Sequence, residues 1–538
     1  MTNTQRTQES FFRRNIWLFF FLFFQIVFPL LWMHDASNDD THQRILLNCI
    51  YFIASFICFS FLNGIYKNIL LIFFFIITII PNVIVLGFFE MNNSILKSTD
   101  FWVVFDTNPS EAEGFLSIVT TPIIVKTAIY ISVSSTLLIF SLQKKCSSRI
   151  SLTKHIMCIS ITLLWLGLSI TGYFRTNVPS VEFYKSWARY KKEMRELSEF
   201  YANRKNATTE ANCYLDNFPK TFVIVIGESA TKNHYGIYGY KRNTTPNLDS
   251  IKDELLIYNN VVTPATQTLI AMRQILTFSN YEDPNAYKKD ASIIEIAHGA
   301  GYKTFWFDNQ GEDDIDNYAP NSYRPIAKMC NEYHANKEYL QDESLIPYLK
   351  KAIKDTAFNK LIFIHLNGSH FPYNIRYPNS FDKFKTQEDI PSKFLKKMNN
   401  DEISTYNAYD NSILYNDFVL SKFINELKPL DGAAFLLYIS DHGEEVFDSQ
   451  HYSGRSFDNI SQSMCRIPFI LWRNEKYRSL NNLDIDTNKV YSSDDIIHSI
   501  MDLIGVSHMQ KDTCRSIFST EFQQKRRKVN DKWFDDIK

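Results

Sequence analysis

The sequence predicts a chain in two parts: an α-helical transmembrane bundle of five spans, then an extracytoplasmic α/β domain on a mostly parallel sheet. Three observations predict this. Five apolar stretches within the first 175 residues approach or exceed the roughly 20 residues needed to cross a bilayer. Basic and non-basic loops alternate between them. From Thr221 onward, short apolar runs alternate with amphipathic stretches, as β-α-β units do when a sheet is covered on both faces. The predicted boundaries are 1–175 for the transmembrane domain, 176–217 for a bridging helix and linker, and 218–538 for the α/β domain.

The spans fall at Asn15–Trp32, Ile45–Leu62, Ile69–Phe89, Phe115–Leu142 and Ile150–Phe174. The first is long for a signal peptide, and WMHDAS offers no small-x-small cleavage site, so it reads as uncleaved. Arg6, Arg13 and Arg14 precede it, Lys67 lies in the second inner loop, and Lys144, Lys145, Arg149 and Lys154 lie in the third. Loops 33–44 and 90–114 are acidic or mixed. The positive-inside rule then puts the N-terminus in the cytoplasm and everything after about Phe174 outside it.

Val181–Arg204 spaces Phe183, Trp187, Tyr190, Met194, Leu197 and Tyr201 alternately four and three apart, one apolar helix face with basic residues beside it. Such a helix suits a membrane interface, or packing on the domain that follows. A formal net charge of −1 leaves no basic footprint and counts against nucleic acid as a partner. Cys49, Cys58, Cys146 and Cys158 sit in or beside spans. Cys213, Cys330, Cys465 and Cys514 are extracytoplasmic, where disulfides are permitted and three pairings are open.

In the α/β half, the strand candidates are Phe222–Ile226, Thr304–Phe307, Leu361–Ile364 and Phe435–Ile439, and helical patterns include Ser344–Ile353 and Ile413–Leu427. Two strand ends carry chemistry. Phe222–Ile226 runs into Gly227, Glu228 and Ser229, at the carboxyl end where open α/β sheets place ligands. Phe435–Ile439 runs into Ser440, Asp441 and His442. A carboxylate beside an imidazole suits zinc. Downstream of the first strand stands Tyr238-Gly-Tyr-Lys-Arg-Asn-Thr-Thr-Pro246.

The GES…YGYxRxTTP and SDHGE strings resemble the phosphoethanolamine transferases, membrane enzymes with an alkaline phosphatase/sulfatase-like catalytic domain. The resemblance covers the whole chain, including TNPSEAEGFL (107–116), similar to the family's TNPxEA loop, where Asn108 and Glu111 become candidates for touching a lipid headgroup. It implies Glu228, Asp441 and His442 as metal ligands. VVTPATQTLIAMRQILTF (261–278) resembles VVTPRPYTIExLQQxLTF of one branch, and residue by residue the nucleophilic threonine falls on Thr268, with Thr266 second and Thr263 also present. Thr268 would be nucleophile and fourth ligand. Ala265, Thr266, Gln267 and Ile270 depart from that branch. GSHxP and the DSQHYSGR segment imply substrate-binding roles for His370 and His451, with His365 a weaker candidate. Asn309, Gln310, Asp342 and Glu343 match family positions but read equally as loop and helix-start residues. No Cys-x-Pro-x-Arg occurs at the nucleophile, which counts against sulfate-ester hydrolysis.

The resemblance implies zinc, one ion tightly bound with a second open in turnover. It implies transfer of phosphoethanolamine from phosphatidylethanolamine, through a phospho-threonine intermediate, to a lipopolysaccharide acceptor at the bacterial inner membrane. VVTP…LTF and SDHGEEV favour core heptose as acceptor, and lipid A phosphate comes next. The rivals are a phosphoglycerol transferase of the lipoteichoic acid synthase type and a non-catalytic membrane sensor or assembly protein that keeps the fold.

Overall fold

The computed structural model describes residues 3–33, 39–62, 64–92, 121–142, 152–170, 179–204, 209–215, 218–310, 323–336, 341–457 and 459–537. The chain divides into a helical unit and an α/β unit, the latter taking in everything from Glu193 onward. Asn108 and Glu111 lie outside the described residues.

The helical unit contains α1 (Asn3–Ile26), α2 (Phe28–Trp32), α3 (Asp39–Phe61), α4 (Gly64–Asn92), α5 (Thr121–Ser141) and α6 (Leu152–Ile170). The described parts of the five apolar stretches fall on these helices. Among the described residues, however, only Gly64–Glu90 and Thr121–Ser141 are long and apolar enough to cross a membrane, beside shorter apolar runs at Asn15–Ile26, Ile45–Phe61 and Ile156–Gly167. On α4, Ile65, Ile69, Ile72, Phe73, Ile76 and Ile80 form an exposed apolar stripe at helical spacing. The opposite, buried side sets Thr78 and Asn82 among Leu71, Phe74 and Val85. Thr78 Oγ1 donates to Gln25 Oε1 at 3.0 Å, and Asn82 Nδ2 donates to the Gln25 carbonyl and Tyr130 Oη, both at 2.9 Å. Interhelical bonds of this kind hold helices together where water is absent. Lys67, expected in a loop, lies inside α4, buried, and donates to Asn15 Oδ1 at 3.2 Å.

The expected bridge is α7 (Pro179–Arg204). From Glu193 onward it packs within the α/β unit. Tyr201 Oη donates to the Tyr287 carbonyl at 2.8 Å, Arg204 Nε to Glu295 Oε1 at 2.8 Å, and Arg273 Nη1 to Glu193 Oε1 at 3.1 Å.

The α/β unit is built on one seven-stranded sheet: β1 (Lys220–Gly227), β2 (Leu255–Ile257), β3 (Lys303–Asp308), β4 (Glu332–Ala335), β5 (Asn359–His365), β6 (Ala433–Ser440) and β7 (Phe469–Arg473). Their order across the sheet is β2-β7-β6-β1-β5-β3-β4. β6, β1, β5, β3 and β4 run parallel to their neighbours, whereas β7 is antiparallel to both β6 and β2. The sheet is therefore mixed, with four parallel pairings and two antiparallel ones. The reason is local: after the loop that follows His442 the chain returns alongside β6 as FILWR, with no crossover helix to reverse it.

Every residue of β1 and of β6 is buried, which is why both read as unbroken apolar runs. Two helices matter for the site. α8 (Thr268–Leu276) starts at Thr268. α9 (Asn400–Leu427) opens on a capping box: Asn399 Oδ1 accepts from Asp401 N and Glu402 N, and Glu402 Oε2 accepts from Asn399 N. That satisfies otherwise orphaned N–H groups. Cys213, Cys330, Cys465 and Cys514 are all free thiols, so none of the three disulfide pairings is formed.

Candidate active site and metal centre

β1 and β6 are parallel neighbours with Gly227 opposite Ser440, so the two motifs emerge side by side at the carboxyl edge of the sheet. Asp441 N donates to the Gly227 carbonyl at 3.0 Å. Glu228, Asp441 and His442 each offer an atom within 4.8 Å of the others, and all three are buried. Ser229 takes the left-handed backbone conformation (φ 56°), uncommon for a residue with a side chain. It is held there by Ser229 N donating to Asp441 Oδ1 at 3.2 Å and by Tyr409 Oη donating to its carbonyl at 2.8 Å. Strain of this kind persists only where the surroundings over-determine it.

Thr268 completes the group. Its Oγ1 lies 3.2 Å from Glu228 Oε2 and 3.3 Å from His442 Nε2. As the first residue of α8, it sits at the positive end of the helix dipole. The other two threonines are engaged elsewhere. Thr263 Oγ1 binds the carbonyls of Asp441 and Ala265, while Thr266 Oγ1 donates to the Ser456 carbonyl and accepts from Asn530 Nδ2.

The donor set fits a borderline divalent cation. His442 Nδ1 donates to the Gly443 carbonyl at 2.8 Å. That bond fixes the tautomer and turns the Nε2 lone pair toward Glu228 and Thr268, as for a ligating histidine. Asp441 Oδ2 is buried and accepts no hydrogen bond among the described residues. Burial and the Glu228 charge beside it push Asp441 up to about 7. Burial opposes the charge on Glu228 too, but His442, His370 and Arg455 hold it well below the usual carboxylate range. Two carboxylates this close share poorly unless a cation keeps both ionised.

Arg455 was not singled out by the sequence, though it stands in the DSQHYSGR string. Its Nη1 lies 3.2 Å from Glu228 Oε1 and 3.4 Å from Thr268 Oγ1, and also contacts His442 Nε2. Its Nη2 donates to His370 Nε2 at 3.0 Å. His370 Nδ1 donates to the Phe371 carbonyl at 2.7 Å. Burial, with the Arg455 and Arg376 charges outweighing what Glu228 returns, pushes His370 down to about 3. It is a neutral acceptor facing the cluster. His451 is not brought to the group: it is partly exposed, stacks on Phe394 and pairs with Glu402 at 3.3 Å. Three residues of chain carry Arg455 past it and into the site.

The residues around His370 are braced rather than reactive. Asp342 accepts from Asn309 Nδ2 at 2.7 Å and from the N–H groups of Asn367 and Gly368 at 2.9 Å. Gln310 Nε2 donates to the Leu366 carbonyl, and Glu343 N donates to Tyr415 Oη. His365 lies buried on Tyr323 and Asp308, away from the cluster. Gly368 is needed where it stands. At φ +52° a Cβ would come 2.7 Å from the Glu228 carbonyl oxygen and 2.8 Å from its nitrogen.

The YGYxRxTTP string is structural. Thr244 Oγ1 accepts from Gly236 N at 3.0 Å and Thr245 Oγ1 from Ile237 N at 2.7 Å, closing the turn. Arg242 Nη1 and Tyr240 Oη donate to Asp410 Oδ2 at 2.8 and 2.9 Å. The other Asp410 oxygen pairs with His234 Nδ1 at 2.6 Å, and His234 Nε2 with Asp448 at 3.1 Å. Burial works against the His234 charge, but Asp448 and Asp410 overcome it and raise the imidazole to about 10.

Comparison with known proteins places this geometry. Residues 220–506 match the sulfatase family model. The chain is 34% identical over 359 residues to the phosphoethanolamine transferase EptC of Escherichia coli strain RS218, covering 64% of this chain and 61% of that one. To phosphoethanolamine transferase EptA of Helicobacter pylori it is 35% identical over 286 residues, 52% of each chain. The matches thus span less than two thirds of these relatives' own length. Among solved structures, the C-terminal periplasmic domain of E. coli EptC in complex with zinc aligns at 32% identity and a TM-score of 0.58, covering 61% of this chain and 96% of that one. The integral membrane lipooligosaccharide phosphoethanolamine transferase A of Neisseria meningitidis aligns over 94% of this chain and 98% of its own, with a TM-score of 0.66. At 18% identity that likeness is one of fold, and it extends to the N-terminal helical region.

Proposed function

The chain belongs to the sulfatase family, and from that premise we propose that it moves phosphoethanolamine from phosphatidylethanolamine to a lipopolysaccharide acceptor, with Thr268 as nucleophile. One observation carries the proposal: the Thr268 hydroxyl, alone of three candidate threonines, contacts the Glu228 carboxylate and His442 Nε2 of the buried Glu228, Asp441 and His442 group. The relatives' names supply the transferred group, and the resemblance of VVTP…LTF and SDHGEEV supplies core heptose as the favoured acceptor, then lipid A phosphate. Five spans, a cytoplasmic N-terminus and a periplasmic catalytic unit at the bacterial inner membrane complete the proposal. That placement keeps enzyme and lipid donor in one plane.

Glu228, Asp441, His442 and Thr268 would hold zinc, which when bound stabilises charge on phosphoryl oxygens and lowers the pKa of the hydroxyl. Glu228 Oε2 stands where it accepts the Thr268 hydroxyl hydrogen. In the first step the Thr268 oxygen–phosphorus bond forms, the phosphorus–glycerol oxygen bond breaks, and the hydroxyl proton ends on diacylglycerol. In the second, an acceptor oxygen takes the phosphorus, the threonine bond breaks, and the acceptor's proton returns to Thr268. Arg455 and neutral His370 are placed to meet and orient the phosphoryl group. Asn108 and Glu111 remain candidates for the headgroup.

Intact mass of the full chain in detergent with phosphatidylethanolamine tests this. An adduct of roughly 123 Da, the mark of covalent catalysis, is expected in wild type and in Thr266→Ala but not in Thr268→Ala. An adduct that survives Thr268→Ala, or that forms from phosphatidylglycerol instead, overturns the proposal.

A further inference from the structure

The catalytic unit carries a second concavity that the chemistry above leaves unused. We infer that this groove, between residues 374–387 and the first turns of α9, binds an uncharged, hydroxyl-rich saccharide, the sugar portion of the acceptor. The word acceptor rests on the transferase proposal; the saccharide rests on the groove itself.

The cavity measures about 810 Å3, within the range of pockets that take small ligands. Asn374, Asn379, Gln387, Asn400, Ser404 and Asn407 contribute to its lining. Amides and hydroxyls both donate and accept, as each sugar hydroxyl does. The charged pair in the lining, Asp382 and Lys385, is self-neutralised at 3.0 Å, so the groove offers no net charge to a phosphate. Its polarity equally disfavours an acyl chain.

The wall is preorganised. Asn411 Oδ1 accepts from Lys383 N and Phe384 N at 2.9 Å each, and Arg242 Nη2 donates to the carbonyls of Thr386 and Glu388 at 3.2 and 2.7 Å. Asn407 is only 3% exposed. Its Oδ1 accepts from Arg242 Nη1 at 2.8 Å, which fixes the amide, and its Nδ2 makes no hydrogen bond among the described residues. A buried donor in that state wants an acceptor, and a ligand oxygen in the groove would supply one. The groove also shares a segment with the catalytic site. Arg376, between Asn374 and Tyr377 of the lining, donates Nε to the His370 carbonyl at 2.7 Å.

The test is calorimetric titration of the full chain in detergent with a delipidated, dephosphorylated heptose-containing core oligosaccharide. Wild type is expected to bind. Ser404→Trp, which fills the groove, should weaken binding by about tenfold or more. The double variant Asn374→Ala/Gln387→Ala, both at exposed positions, should also weaken it and guards against a misfolded tryptophan variant. No binding by wild type, or wild-type affinity in both variants, overturns the inference. The Thr268 adduct is measured on the same sample. Its absence, with groove-dependent binding retained, would sink the transferase proposal and leave the saccharide site standing. An adduct without oligosaccharide binding would sink only the groove.

Discussion

Replacing Gly368 with alanine should damage the site through backbone alone. Two costs add. A non-glycine residue in the left-handed region is penalised by about 1–2 kcal/mol. The new Cβ must also be accommodated against the Glu228 carbonyl oxygen at 2.7 Å and nitrogen at 2.8 Å, backbone atoms that cannot rotate away. Overpacking of that kind costs about 1–3 kcal/mol. Gly301 supplies the control, because at φ +81° its Cβ would meet nothing within 4 Å. Gly301→Ala therefore carries only the first cost. At about 2 °C per kcal/mol for a unit of this size, Gly301→Ala should lower the Tm of the full chain in detergent by about 2–4 °C. Gly368→Ala should lower it by about 4–10 °C. The clash also displaces Glu228, so Gly368→Ala should retain less zinc than Gly301→Ala after dialysis against a chelator. Equal Tm and equal zinc in the two variants would refute the close approach of the 367–370 segment to Glu228.

Arg455→Met should cost about 3–5 kcal/mol after metal is chelated, because it leaves buried carboxylates uncompensated, and much less with zinc added. A Tm loss independent of metal would contradict that. His234 is charged in the fold, with its pKa raised from 6.5 to about 10 by Asp448 and Asp410 against the cost of burial. Its stabilisation is complete below about pH 6.5 and is lost as the pH climbs through about 10. Denaturation followed from pH 7 to 10 should show stability falling in wild type, and His234→Gln should begin less stable and lose less over the same window. Alkylation of the unfolded, unreduced chain should label all of Cys213, Cys330, Cys465 and Cys514; a missing label on any two would reveal a disulfide.

The parts of the fold that show in the sequence are those where one physical cause dominates. Phe222–Ile226 and Phe435–Ile439 are buried on both faces, so burial writes them as apolar runs. β2 and β4 are short edge strands that are only partly buried; β7 is apolar and buried, but an apolar run does not record strand direction, so the antiparallel sense of its pairings stayed hidden. α9 begins thirteen residues before Ile413, where the apolar pattern starts. Its first turns bury Asn407, Asp410 and Asn411, and hydropathy counts those as surface. At the site, Glu228, Asp441 and His442 were readable because two strand ends bring them together. Arg455 was not, since a loop arginine carries no periodicity and its reach is set by tertiary packing. The nearby His451 drew attention for its chemistry, yet its ring turns to Phe394 and Glu402.

The brace formed by Tyr240, Arg242, Thr244, Thr245 and Asp410 has a bearing on how such chains diverge. None of these side chains hydrogen-bonds to the Glu228, Thr268, Asp441 and His442 group, so on the proposed mechanism selection for turnover and selection for folding would act on different letters. A descendant that abandoned chemistry for a scaffolding role would shed Thr268 or Asp441 first and keep YGYxRxTTP almost intact. In an unfamiliar genome the string would thus mark ancestry, while on the proposed mechanism the hydroxyl at 268 and its three neighbours would mark a working enzyme.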